Sequence, residues 1–254
     1  MSEDDRQELL AAMAIALERL TPSQLALVRS VIAQLQLKTA VYRAADSDFI
    51  SESGLNHICD ALLAHHAMSR QPLSKDRFEY ALEGALMKAG HAVEMAPRGN
   101  PGYDIMVDGA RVSLKTQADK HIKADTLHIS KFMELGKGVW ELAILRNRFL
   151  AHLQKYDRVF SFRCFRQGAT GYLYELVEIP KALLLEAANA KLVVQEDTRQ
   201  NPKPGYGYVY ASDGSQKYAL YFDAGSERKL QVKHLRKDLC KLHATWSFDS
   251  TSPT

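Results

Sequence analysis

The chain has few cysteines, no long apolar run and no strong charge of either sign. Its three cysteines, Cys59, Cys164 and Cys240, are odd in number, far apart and never in a CxxC pair. That excludes a disulfide framework and a zinc knuckle and fits a reducing compartment, so a cytoplasmic location is expected. No apolar stretch approaches the roughly 20 residues that cross a bilayer, which excludes a spanning helix. The opening "MSEDDRQELL" is acidic and lacks the basic start and apolar run of a signal peptide. There is no repeat and no low-complexity tract. Hydrophobic residues make up 46% and charged residues 25% of the 254, the balance of a folded globular protein rather than a disordered or fibrous one. A net charge of +3 permits a nucleic-acid partner without requiring one.

What is present begins with helices. "DDRQELLAAMAIALERL" carries Leu9, Leu10, Met13, Leu17 and Leu20 at helical spacing, with acids in its first turn. The next helix opens with Thr21 as N-cap and Pro22 at the first helical position. A third is expected over Ser53 to Met68. Residues 1–70 therefore read as an N-terminal helical lobe with a structural role, and residues 71–254 as the functional core. From Ser74 the pattern becomes helix, glycine stop, strand: Phe78, Leu82, Ala85, Leu86 and Ala89 form one apolar face, Gly90 suits the position after the helix end, and "HAVEM" alternates. "APRGNPG" is a loop. "YDIMVDGARVSLKTQ" reads as two short strands turned at Asp108-Gly109. "TLHISKFMELGKG" is ambiguous between strand and helix; a helix from about Ser130 is the expectation. A helix and strand follow over residues 139–165, then the strand "GYLYELVEI", a helix opened by Pro180, and a turn-rich, β-like C-terminal region. Such mixing points to an α/β core, a central mixed sheet flanked by helices.

The chemistry concentrates around the hairpin. Alternation puts Ser113, Lys115 and Gln117 on one face of its second strand and lets Asp104 meet Lys115 at the open end, beside the Gly/Pro loop. Glu79 borders the apolar stripe of the preceding helix, whereas Glu83 lies further out. Buried charges need partners or a metal. Asp104 and Lys115 are thus either a cross-strand ion pair or part of a site in which carboxylates hold Mg²⁺ and a lysine orients a nucleophile.

The run "EYALEGALMKAGHAV", a Gly/Pro loop and "GYDIMVDGARVSLKT" resembles the core of the PD-(D/E)xK nucleases, most closely the type II restriction endonucleases, over residues 74–135. The resemblance implies a restriction-endonuclease-like core and Mg²⁺-dependent cleavage of double-stranded DNA at a specific sequence. It implies Asp104, Lys115 and Glu79 as catalytic positions, with Asp104, Glu79, Glu134 and Leu114 toward the metal. Homodimerisation and a cognate DNA methyltransferase, part of the same system without physical contact, belong to the same expectation. The chain departs from the pattern at Ser113, where the family usually carries an acid two residues before the lysine; Glu79 from upstream, or Glu134 from the following helix, could supply that charge. A structure-specific repair nuclease and a catalytically inactive DNA-binding module are the alternatives.

A nuclease core needs a surface for phosphates and base edges. Ser113, Gln117, Lys120 and Lys123 near the motif, and Arg228, Lys229, Lys233 and Arg236 in the basic C-terminal stretch, are the candidates. His121, His128 and His152 have no metal-ligand spacing and read as surface or satisfied histidines, and Tyr206, Tyr208 and Tyr210 at period two as strand packing.

Overall fold

The computed structural model describes residues 2–97, 99–100, 102–118 and 122–249. The chain begins with α1 (Glu3–Leu17) and α2 (Pro22–Leu35), each closed by a capping box, and continues through β1 (Thr39–Arg43), α3 (Glu52–His66) and α4 (Lys75–Lys88). Next come β2 (Val93–Met95), β3 (Ile105–Val107), β4 (Ala110–Gln117), β5 (Thr126–Glu134) and α5 (Leu142–His152). The remainder is β6 (Arg158–Gln167), β7 (Gly171–Glu178), the short α6 (Lys181–Leu185), and β8 (Lys191–Val194) to β9 (Gly205–Tyr210). The last three strands are β10 (Gln216–Asp223), β11 (Lys229–Arg236) and β12 (Lys241–Asp249).

Seven strands form the central sheet in the order β1-β12-β7-β6-β4-β3-β2, and five form a second sheet, β5-β11-β10-β9-β8. β4 and β6 run parallel while their neighbours are antiparallel, so the central sheet is mixed. Its two faces have separate cores. α3 and α4 cover one, over Leu114, Phe160, Phe162, Tyr174 and Trp246. α5 and the second sheet cover the other, over Val159 and Val177. Phe78 of α4 lies flat on Phe162 of β6, centroids 4.1 Å apart and planes 3° from parallel. Its full burial contributes about 1.5–3 kcal/mol and fixes the helix over the sheet.

The local turns follow their residues. Gly90, at φ 90°, ends α4, and Asp108 with Gly109, both at positive φ, make the two-residue turn between β3 and β4. Residues 110–117 alternate as expected: Val112 and Leu114 enter the helix-side core, and Ser113, Lys115 and Gln117 face the second sheet.

Two expectations change. The helix expected from Ser130 is strand β5. Its register against β11 shifts between Ile129 and Met133, so the buried residues Leu127, Ile129 and Phe132 step by two and then by three. That bulge gives the sequence a helical spacing inside a strand. The expected division near residue 70 is crossed by the sheet: β1 pairs with β12, and α3 shares a core with α4. What stands apart is α1, which buries no residue; α2 buries Gln34 and is tied to the end of α3 by Ser30 Oγ donating to the Ala67 carbonyl at 3.2 Å.

Candidate active site

Asp104 sits just before β3, held by its backbone on both sides. Its N–H donates to the Val112 carbonyl and its carbonyl accepts from Ala96 N–H, each at 2.9 Å. Its carboxylate is divided between two sets of donors. Oδ2 accepts from Leu114 N–H at 2.6 Å and from Ser113 Oγ at 3.2 Å; Oδ1 accepts from Lys75 Nζ at 2.6 Å. Glu79, one turn along α4 from Lys75, places Oε1 2.9 Å from the same Nζ. That contact has ion-pair distance without hydrogen-bond geometry, and Oε1 is left buried with no hydrogen-bond donor. Burial raises the Glu79 carboxyl despite the nearby ammonium. Lys75 is itself raised: burial pulls its pKa down, but Asp104 and Glu79 outweigh it.

Lys115 lies across the carboxylate from Lys75 and differs from it. Its side chain is half-buried at the cavity wall, its Nζ sits 5.5 Å from the centre of the Phe132 ring, and among the described residues it forms no salt bridge. Desolvation lowers its pKa, partly opposed by the charge of Asp104. The cross-strand Asp104–Lys115 ion pair is therefore not the arrangement found; Lys75 takes that place.

Asp104 forms part of the wall of two cavities. One, of about 410 Å³, is bounded by Lys115, Phe132, His152 and Lys155; the other, of about 690 Å³, by Lys75, Glu79 and the Ala96–Asn100 loop. Hard oxygen atoms at Asp104 and Glu79, gathered around one cationic group, fit a hard divalent cation. Leu114 contributes its N–H to Asp104, so only its backbone is near the site. Glu134 lines the first cavity, but its side chain is 70% exposed and pairs with Lys131 at 2.8 Å.

The expected DNA contacts divide. Ser113 is fully buried and supports Asp104, which corrects its assignment to the DNA surface: a side chain under the carboxylate cannot reach a base. Lys120 and His121 lie outside the described residues. Gln117, Lys123 and Lys233 line a third cavity of about 480 Å³ with His128 and His234, further along β4 and β5 from Lys115. Gln117 Oε1 accepts from His128 N–H and from Arg163 Nε, each at 3.3 Å. Lys233 Nζ rests 4.0 Å from the Tyr221 ring centre, and Tyr206 stacks on Tyr208. Arg228 covers Trp140, Lys229 pairs with Glu227, and Arg236 is held by Asp238 and Ser215.

Sequence reading missed Lys75, His152, Lys155 and Arg163. The spacing of Lys75 and Glu79, four residues apart on one helix, was the available signal for the first. His152 is buried at the cavity wall, and burial, then Lys115 and Lys155, push its pKa down to about 4, so it is neutral at pH 7. Arg163 is fully buried and bridges Gln117, Glu175 and the Lys123 and Thr126 carbonyls, which fixes the floor between the site and the third cavity. A separate cluster, Asp48, Glu178 and His243, has its ligand atoms within 4.8 Å of one another. Arg158 and Lys241 already pair with its two carboxylates, so its charge is balanced without a metal.

Residues 13–248 match the family model of the SmaI-type "Type II site-specific deoxyribonuclease". The chain is 46% identical over 208 residues to the type II restriction enzyme SmaI of Serratia marcescens, covering 82% of this chain and 84% of that enzyme. Among solved structures it is similar to a restriction endonuclease in complex with substrate DNA, with a TM-score of 0.33 and 16% identity over 71% of this chain and 81% of the other.

Proposed function

Because the chain belongs to the SmaI family of type II site-specific deoxyribonucleases, we propose that Asp104, Glu79 and Lys115 are its cleavage site and that its metal is Mg²⁺. The protein is a sequence-specific restriction endonuclease, hydrolysing phosphodiester bonds of DNA. The observation that carries the site assignment is Asp104 itself. It is clamped by two backbone hydrogen bonds, lies beside a desolvated lysine on one side, and has on the other a half-buried carboxylate, Glu79, that shares the Lys75 ammonium with it.

Asp104 and Glu79 would hold the cation, with the Leu114 backbone beside them. When bound, Mg²⁺ lowers the pKa of a water and offsets charge on the phosphate. The chain supplies the rest. Ser113 and Leu114 occupy one oxygen of Asp104 and so aim the other outward. Lys115 presents its ammonium from a desolvated wall, where it orients the attacking water and stabilises the negative charge developing on the phosphoryl oxygens. Lys155 offers a second cation to the backbone of the DNA at the same cavity. Ser113 cannot supply the acid the wider superfamily carries there, so Glu79 provides the second carboxylate; the exposed, paired Glu134 is the lesser candidate.

Base and phosphate contacts fall to the cavity beyond Lys115, through Gln117, Lys123 and Lys233. The substrate is double-stranded, and the apolar residues exposed on α1, including Leu9, Leu10 and Met13, form a homodimer contact. Residues 39–249 form the nuclease core and α1 with α2 the appended helical lobe. The free thiols suit the reducing cytoplasm, and a cognate methyltransferase protects the host sites.

The test is digestion of a defined bacteriophage DNA with purified protein, in Mg²⁺ and in EDTA, beside Asp104→Asn. Discrete fragments with Mg²⁺ alone, absent in the variant, are expected. Nicking without discrete bands would point to a structure-specific nuclease, and binding without cutting in either Mg²⁺ or Mn²⁺ to an inactive module.

A further inference from the structure

Lys75 occupies the place that the function reading gives to a cation. Its Nζ touches Asp104 Oδ1 at 2.6 Å and Glu79 Oε1 at 2.9 Å. These are the oxygens left over once Ser113 and Leu114 have taken Asp104 Oδ2, and Glu79 Oε1 has no other donor. A single ammonium thus bridges the two carboxylates.

Three features say that this bridge is made to open. The Lys75 side chain is 38% exposed, although the two carboxylates it joins are only 15% and 19% exposed. It lines the 690 Å³ cavity, so its four-carbon stem has room to swing clear without moving α4. It is also the first residue of α4, where the helix dipole disfavours a positive charge, so only the carboxylates favour its position.

We propose that Lys75 is an internal stand-in for the metal: it holds Asp104 and Glu79 together in the metal-free enzyme and must withdraw before a divalent cation can bind the same two oxygens. The idea rests on the reading of Asp104 and Glu79 as metal ligands. Its consequence is a competition within the chain. The ammonium prevents two carboxylates from repelling each other across the site, and for that reason it weakens metal binding. On withdrawal its charge remains at the rim of the cavity, where the DNA backbone would receive it.

The experiment is calorimetric titration of the full chain with Mn²⁺, without DNA, on the wild type, Lys75→Met, Lys75→Gln and Asp104→Asn, together with melting curves in EDTA and in Mn²⁺. Removing one half-buried competitor should tighten Mn²⁺ binding by about tenfold in the Met and Gln variants. Both should melt lower than wild type in EDTA, and the gap should close in Mn²⁺. Asp104→Asn should bind more weakly than wild type. If Asp104→Asn weakens binding while both Lys75 variants bind no better than wild type, the stand-in role is overturned and the metal site survives. If Asp104→Asn binds Mn²⁺ as wild type does, the metal-site reading fails, and the proposal fails with it. The Gln variant, which keeps an uncharged polar side chain at the same position, guards against a folding defect in the Met variant.

Discussion

Replacing Lys115 by methionine should make the protein more stable and abolish cutting. Methionine nearly matches the lysine stem in length and has no charge to desolvate. The wild-type ammonium is half-buried beside Phe132 and forms no salt bridge among the described residues, and desolvation lowers its pKa. An incompletely satisfied buried polar group costs about 1–3 kcal/mol, and a charged one no less. Lys115→Met should therefore gain about 1–3 kcal/mol, at roughly 2–4 °C in Tm per kcal/mol for a chain of this size. Cleavage should fall by about 10²–10³-fold or more, the usual loss when one donor to a developing negative charge is removed. Differential scanning calorimetry reads the first effect and single-turnover cleavage of plasmid DNA the second. A loss of stability beyond about 1 kcal/mol would show that the ammonium is well satisfied in the fold and would refute the reasoning about its burial. Cleavage at the wild-type rate would remove Lys115 from the site.

Arg163→Ala removes a buried guanidinium that holds Glu175, Gln117 and two carbonyls; it should cost about 3–5 kcal/mol, toward the lower end because Lys237 still pairs with Glu175, as read by urea unfolding. Burial alone would raise the Asp48 carboxyl, but Lys241 and Arg158 outweigh it and hold it at about 2. Its contribution is therefore present above its unfolded value near 3.9 and is lost as pH falls toward about 2. The stabilities of wild type and Asp48→Asn should thus converge on acidification through that window and differ by a constant amount above about pH 5. A constant gap down to pH 2 would contradict this. Charging the exposed face of α1 with Leu10→Glu and Met13→Glu should halve the mass seen by sedimentation while leaving the far-UV circular dichroism of the folded chain unchanged. An unchanged mass would rule out α1 as the dimer contact.

The sequence by itself determined the local elements around the site and which face of each its polar residues occupy. Ser74, Gly90 and Asp108-Gly109 mark where α4 begins, where it ends and where the hairpin turns, because cap and turn geometry depend on a few adjacent residues. Period-two alternation put Lys115 and Gln117 on one face of β4, and helical period made Glu79 rather than Glu83 the acid toward the sheet. Tertiary structure alone decided the pairings. The β5 bulge depends on β11, about a hundred residues away, so its apolar spacing imitates a helix in the sequence. Likewise β1 joins the central sheet only through β12, at the other end of the chain. Burial of Ser113, the choice of Lys75 over Lys115 as the partner of Asp104, and the neutral His152 beside them depend on which elements pack together. Local pattern records each residue's own preference for water or core; which charge meets which carboxylate is set by contacts between segments far apart in the chain.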